Sequence, residues 1–154
     1  MIVTAALQEY ADRGVFRGFS VKERPGGRYT YTFSWLMQRP FSLRYDPARR
    51  VLSFDGLFPH VAARSTMAGV LRDLVAERST RRVPAHKRLD GRRVQVECAV
   101  ERQRFTLAMR VRGAPGRNEA YAVRHLLNLV NELVLALHET YPDYLIAHFG
   151  LSSE

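Results

Sequence analysis

The sequence predicts an α+β domain built on an antiparallel sheet of about five strands, in the order α-βββ-α-ββ-α, and three observations carry that prediction. Tyr29, Tyr31, Phe33, Trp35 and Met37 alternate with Thr30, Thr32 and Ser34, the period of two that marks a strand with one buried face. Residues 93–112 read as a hairpin whose apolar side chains all fall on one side when Arg102-Gln103 is the turn. From Val123 to Tyr141 the apolar residues cover most of a helix circumference and leave only a thin polar stripe of Arg124, Asn128, Asn131, Glu132 and Glu139.

In chain order, residues 3–13 form a short helix with Ala6, Leu7 and Tyr10 at helical spacing and Gly14 as its stop. Phe16 to Lys22 is a short candidate strand outside the count of five, and Pro25-Gly26-Gly27 is a turn. The aromatic strand that follows ends at Pro40, and Phe41, Leu43 and Tyr45 alternate with Ser42, Arg44 and Asp46 in the next one. Asp46-Pro47-Ala48-Arg49 turns the chain into a returning strand over 51–55. Ser65 or Thr66 caps a helix over 65–78, whose apolar face is Met67, Val70, Leu71, Leu74 and Val75. Its other side carries Ala68, Gly69, Arg72 and Ala76, small for a solvent face.

Within the hairpin, the turn sets Glu101 opposite Arg104, Val100 opposite Phe105, Cys98 opposite Leu107 and Val96 opposite Met109. Gly113-Ala114-Pro115-Gly116 leads into the last long helix with Asn118 as its cap. Pro142 breaks that helix, and 144–149 is a final turn or two. A helix apolar on more than one face needs a covering layer on two sides, from this subunit or another. Leu126, Val130 and Leu133 are its predicted core positions.

With 154 residues the chain suits one domain with a real core, taken as 1–154. Its single cysteine excludes an intramolecular disulfide framework. The N-terminal residues lack the features of a secretory signal, and the apolar run 126–137 is interrupted by Asn128, Asn131 and Glu132. A cytoplasmic protein without membrane contact is therefore expected. The net charge of +9 is uneven: residues 1–60 carry +4, 61–113 carry +8 and 114–154 carry −3. The densest part, 78–93, holds seven basic residues and one Asp. Such asymmetry points to an acidic partner, although 22 of the 24 basic residues are Arg, which a general Arg-rich bias also produces.

No catalytic or metal-binding constellation emerges. His60 and His86 fall in loops and His125, His138 and His148 in the C-terminal helices, with no pair at the i, i+4 spacing of helical metal ligands. Cys98 points with the core face of its strand, where a thiol is poorly reactive. The glycine loop before Asn118 lacks the Gly-Lys-Ser/Thr ending of a phosphate-binding loop, and it reads as a turn and cap. The aromatic strand lies beside Arg28, Arg39 and Arg44, as in sheets that stack single-stranded bases. Its rings, however, share one face that a helix can cover, so they read as core. No cofactor, no metal and no enzymatic activity are expected.

The succession of elements, with the ending NLVNELVLALHETYPDYLIAHFG, resembles the YbjN-like family of bacterial proteins over roughly Leu7 to Gly150. The points of likeness are an apolar helix, the aromatic-Pro step Tyr141-Pro142 and the close at Phe149-Gly150. The resemblance implies a type III secretion chaperone-like fold and a small homodimeric, protein-binding module without catalysis. The expected function is thus a chaperone-like homodimer holding a client protein. Its dimer contact is placed on Met67, Ala68, Gly69, Val70, Leu71, Arg72 and Ala76, with help from the 93–112 hairpin, and the other candidate contact is the outer side of the helix over 119–140. The alternative is a nucleic-acid-associated accessory protein using Arg78, Arg81, Arg82, Lys87, Arg88, Arg92 and Arg93. For that segment, weak and salt-sensitive nucleic-acid contact is expected, because it lacks exposed aromatic neighbours.

Overall fold

A computed structural model describes residues 1–150. The elements are α1 (Ile2–Asp12), β1 (Arg17–Arg24), β2 (Arg28–Ser34), β3 (Phe41–Asp46), β4 (Val51–Pro59), α2 (Thr66–Glu77), β5 (Val94–Glu101), β6 (Arg104–Val111), α3 (Arg117–Thr140) and α4 (Pro142–Phe149). The architecture is α+β, with one antiparallel sheet of six strands in the order β1-β2-β3-β4-β6-β5. The sixth is β1, whose residues are exposed nearly throughout, as suits an edge strand with little apolar content.

Local chemistry explains most element ends. Ser65 Oγ accepts the Ala68 N–H at 3.1 Å and caps α2. The β5–β6 hairpin has the expected register, from Val96↔Met109 to Glu101↔Arg104. Its two turn residues, Arg102 and Gln103, have φ of 53° and 60°, the left-handed conformation that a two-residue turn with the twist of the strands requires. β4 runs four residues past its expected end at Asp55. The register against β6 slips between Phe54 and Phe58, where Gly56 adopts φ +63°. A bulge of this kind restores pairing after the alternation is broken, so Phe58 faces Phe105.

Helix α3 begins one residue before its expected cap. Gly116 is the N-cap, and Glu119 reaches back to accept the Gly116 N–H at 2.9 Å. Asn118 lies inside the helix, 5% exposed; its Nδ2 donates to the Arg112 carbonyl and its Oδ1 accepts from Arg93 Nε. Those two bonds tie the helix start to the end of β6 and use up the side chain that would have capped.

One face of the sheet carries the core. Tyr31, Phe33, Leu43, Leu52, Phe54, Leu107 and Met109 are all buried there. Helix α3 packs against β6, with α1 on the β1 flank, α2 on the β5 flank and α4 beside it. Leu126, Val130 and Leu133 are fully buried, as expected. The broad apolar circumference of α3 is thus covered within this chain, by the sheet on one side and by α1, α2 and α4 around it, and requires no second subunit. Of the expected polar stripe, Arg124, Asn128 and Glu139 are exposed, Asn131 and Glu132 are half-buried, and Leu135 joins them on the outside.

The opposite face of the sheet is open. Side chains in the row Lys22, Thr30, Arg44, Ser53, Ala108 and Glu97 are cross-strand neighbours on it. Among the described residues, no helix is long and apolar enough to cross a membrane.

Candidate functional site

The Arg-rich segment 78–93 is a pinned loop. The Leu89 N–H donates to the Arg78 carbonyl at 2.9 Å, closing it, and the Lys87 and Arg88 N–H groups both donate to the Pro84 carbonyl. Val83 and Leu89 are buried beneath it. Tyr121 of α3 holds it from below: its hydroxyl accepts the Asp90 N–H at 3.0 Å and donates to the Arg88 carbonyl. Lys87 Nζ stands 3.7 Å from Glu132 further along α3.

The seven basic residues therefore have different surroundings. Arg81 and Arg82 are exposed and, among the described residues, have no ion-pair partner. Lys87 pairs with Glu132, and Arg92 with Asp90 at 3.5 Å. The Arg92 backbone and guanidinium together hold the Asp90 carboxyl below its ordinary range. Arg88 folds back on the Val83 carbonyl. Arg93 stacks on the Tyr121 ring, Cζ at 3.9 Å from its centroid, while bonding Asn118. Arg78 is not a surface residue at all. It is 7% exposed, because it caps the C-terminal end of α2 just where the loop closes over it.

On α2, the expected contact surface divides in the same way. Ala68 and Leu71 are fully buried in the chain's own core and are unavailable to a partner. Met67, Gly69 and Val70 are half-buried, and Arg72 and Ala76 are exposed. The small residues on α2 thus serve partly to let it approach the sheet. A shallow groove brings the two predicted surfaces together, lined by Asp73, Ala76 and Glu77 of α2 with Thr80 and Arg82 of the loop. Beside α2 lies the free edge of β5, where Val96, Cys98 and Val100 are half-buried. At an edge strand Cys98 is less enclosed than an interior position would make it. Burial still pushes its thiol up, and Arg72 acts against that.

A second basic surface lies on the open sheet face. Lys22, Arg24, Arg28, Arg44, Arg104 and Arg110 point outward among Thr30, Thr32 and Ser42. Two of these are paired, Arg44 with Asp55 at 2.8 Å and Arg28 with Asp46 at 3.6 Å. The aromatic strand faces the other way: Tyr31 and Phe33 are buried, and Phe16, Phe33, Trp35, Phe41 and Phe54 form a packed ring cluster. Those rings cannot stack on bases.

Two side-chain groupings escaped sequence reasoning. His60 and His148 stack at 4.5 Å between the end of β4 and α4, a contact invisible without the tertiary fold. Tyr121 and His125, one turn apart on α3, stack at 4.0 Å beneath the Arg-rich loop. Their i, i+4 spacing on an apolar helix was the available signal. Among the described residues, no group of three or more His, Cys, Asp or Glu side chains is placed to hold a metal ion. No protein-family profile, curated protein or solved structure matches this chain.

Proposed function

We propose that the protein is a non-enzymatic, chaperone-like binding module that holds an acidic client protein against its arginine surface. The observation that carries this proposal is the combination of a rigid, pinned loop with exposed Arg81 and Arg82 that have no acidic partner among the described residues. A loop fastened by backbone hydrogen bonds presents its charges without the ordering cost a mobile segment would incur. Electrostatic complementarity then sets orientation and association rate. The YbjN-like resemblance belongs to the same proposal, as does action as a homodimer. For self-association, the available surface is the outer edge of β5 with the half-buried Gly69 and Val70 and the exposed Arg72 and Ala76 of α2.

A second function, nucleic-acid association, is favoured by one separate observation. The open sheet face sets Lys22, Arg24, Arg104 and Arg110, which have no ion-pair partner among the described residues, among hydroxyl side chains, groups that contact phosphate oxygens. Fluorescence anisotropy at physiological salt separates the two, using a labelled glutamate-rich peptide, a labelled single strand and a labelled duplex. Binding of the peptide with little nucleic-acid binding is the expected result. Sub-micromolar nucleic-acid affinity, removed by Arg104→Glu with Arg110→Glu on the open sheet face, would promote the second function and displace the first.

A further inference from the structure

The two edges of the sheet are built differently. β1, at one end, carries Gly18 at φ +62°, a register shift between Arg17 and Ser20, and the charged Lys22, Glu23 and Arg24. Bulges and charges of this kind keep an edge from pairing with another chain. β5, at the other end, has no Gly, Pro or Lys, and its register against β6 runs unbroken from Val94 to Glu101. The two-residue turn at Arg102-Gln103 makes Glu101↔Arg104 a hydrogen-bonded pair, and such pairs alternate along an antiparallel ladder. The Arg112 N–H, donating to the Arg93 carbonyl at 2.8 Å, continues the same alternate series. Gln95, Glu97, Ala99 and Glu101 therefore bond β6, and the N–H and C=O groups of Val96, Cys98 and Val100 point out from the edge. Among the described residues, no strand lies on that side. The same three side chains are half-buried, as are Met67 and Leu74 of α2, the helix that packs against β5.

We propose that β5 pairs antiparallel with β5 of a second copy about a twofold axis at Cys98, so that the two sheets join into one. This rests on the proposed homodimer and fixes how its copies meet. Any register that keeps Val96, Cys98 and Val100 on one side also sets outward N–H and C=O groups opposite one another, because both follow the same alternation. Two such registers pair the longest stretch of the strand. One is centred on Glu97 and sets the two Glu97 carboxylates directly opposite each other, which is destabilising. The other is centred on Cys98 and matches Val96 with the partner's Val100, Glu97 with the partner's Ala99 and Gln95 with the partner's Glu101. No carboxylate then stands directly opposite another, so charge selects this register. A register centred on Ala99 is shorter and sets Glu97 against the partner's Glu101. In the Cys98-centred pairing, the outward groups of Val96, Cys98 and Val100 exchange about six hydrogen bonds with the same groups of the partner. The strand is thus its own complement, as a twofold contact requires.

The test is a cross-link between two versions of the chain, both carrying Cys98→Ala to remove the only cysteine. One also carries Glu97→Cys and the other Ala99→Cys, both exposed positions, and one bears a tag that separates them by size. In the proposed register these two positions form a non-hydrogen-bonded pair with Cα atoms about 4.5 Å apart, within the span of a disulfide. The versions are mixed under reducing conditions until subunits exchange, checked by light scattering, and then mildly oxidised. The expected result is a disulfide-linked dimer containing one chain of each kind, with neither version linking to itself when oxidised alone. Self-linking of the Glu97→Cys version would overturn the proposed register in favour of that centred on Glu97, and self-linking of the Ala99→Cys version in favour of that centred on Ala99. A dimer in light scattering that gives no mixed cross-link would overturn the β5 pairing and leave the homodimer on another surface. A monomer would overturn the pairing and the homodimer together, and leave the β5 edge to a strand of the client.

Discussion

Removing Glu119 probes a polar tie of four hydrogen bonds. Its carboxylate takes two hydrogen bonds from Arg50, Nε to Oε2 and Nη2 to Oε1, each at 2.9 Å. It also accepts the Gly116 N–H at 2.9 Å and a longer bond from the Tyr45 hydroxyl at 3.4 Å. One side chain thereby fastens the β3–β4 turn to the start of α3. The Glu119 side chain is 9% exposed and that of Arg50 is 26% exposed, so in Glu119→Ala the abandoned guanidinium regains part of its hydration. The pair then contributes nearer the lower end of the ~1.5–3 kcal/mol expected for charged hydrogen bonds. Loss of the capping contact adds about 1 kcal/mol. The total of about 3 kcal/mol corresponds to a fall in Tm of roughly 6–12 °C for a chain of this size.

Glu119→Gln keeps an acceptor for Gly116 and loses the charge, which should cost about half as much. The Arg50 hydrogen bonds foremost hold the Glu119 carboxyl below its ordinary 4.5. A carboxyl depressed in the folded state contributes stability that is complete above its unfolded value and is lost as pH falls through the folded one. The gap between parent and Glu119→Gln should therefore be constant above about pH 5 and close on acidification. Thermal melts by circular dichroism across this range read both effects. A Glu119→Ala variant melting within about 2 °C of the parent would refute the tie as a stabilising contact.

Three further outcomes are expected. Replacing Arg102-Gln103 by Asn-Gly relieves the left-handed backbone at φ 53° and 60° and should raise stability by about 1 kcal/mol; a lower Tm would show that one of the original side chains makes a contact that matters. Leu133→Asp buries an unpaired charge at a fully buried position and should abolish cooperative melting, so a parental Tm would contradict the packing of α3. Light scattering at micromolar concentration should give about twice the 17.7 kDa chain mass if β5 and α2 mediate self-association, and a clean monomer would remove the homodimer from the proposed function.

The hairpin was fully legible because every cue agreed. Alternation, turn length and the Glu101–Arg104 charge pair all specify one register, and those cues are local. The length of β4 was not legible, because Gly56-Leu57-Phe58-Pro59 breaks the alternation that announces a strand, and its pairing is held by β6, about 50 residues away. β1 was only half legible, its burial pattern being too weak to show a face. The apolar excess on α3 shows in the sequence that the helix needs cover, but composition along one helix does not say which chain supplies it. Burial of Arg78 was likewise hidden: an Arg in a basic run looks like surface until the loop closes onto Tyr121. Ala68 and Leu71 illustrate the same point on α2, where a small residue serves contact with the sheet as readily as contact with a partner.

The client itself is the most direct test. Tagged parent and an Arg81→Glu, Arg82→Glu variant are incubated with nuclease-treated extract of the native cell, washed at rising salt, and the retained proteins identified by mass spectrometry. Both changes fall on exposed loop positions and leave the core untouched. The expected result is a discrete acidic protein retained by the parent after nuclease treatment, released as salt rises, and missing from the variant. Retention of the same protein by the variant, or loss of all partners once nucleic acid is digested, would contradict a client held on the arginine surface.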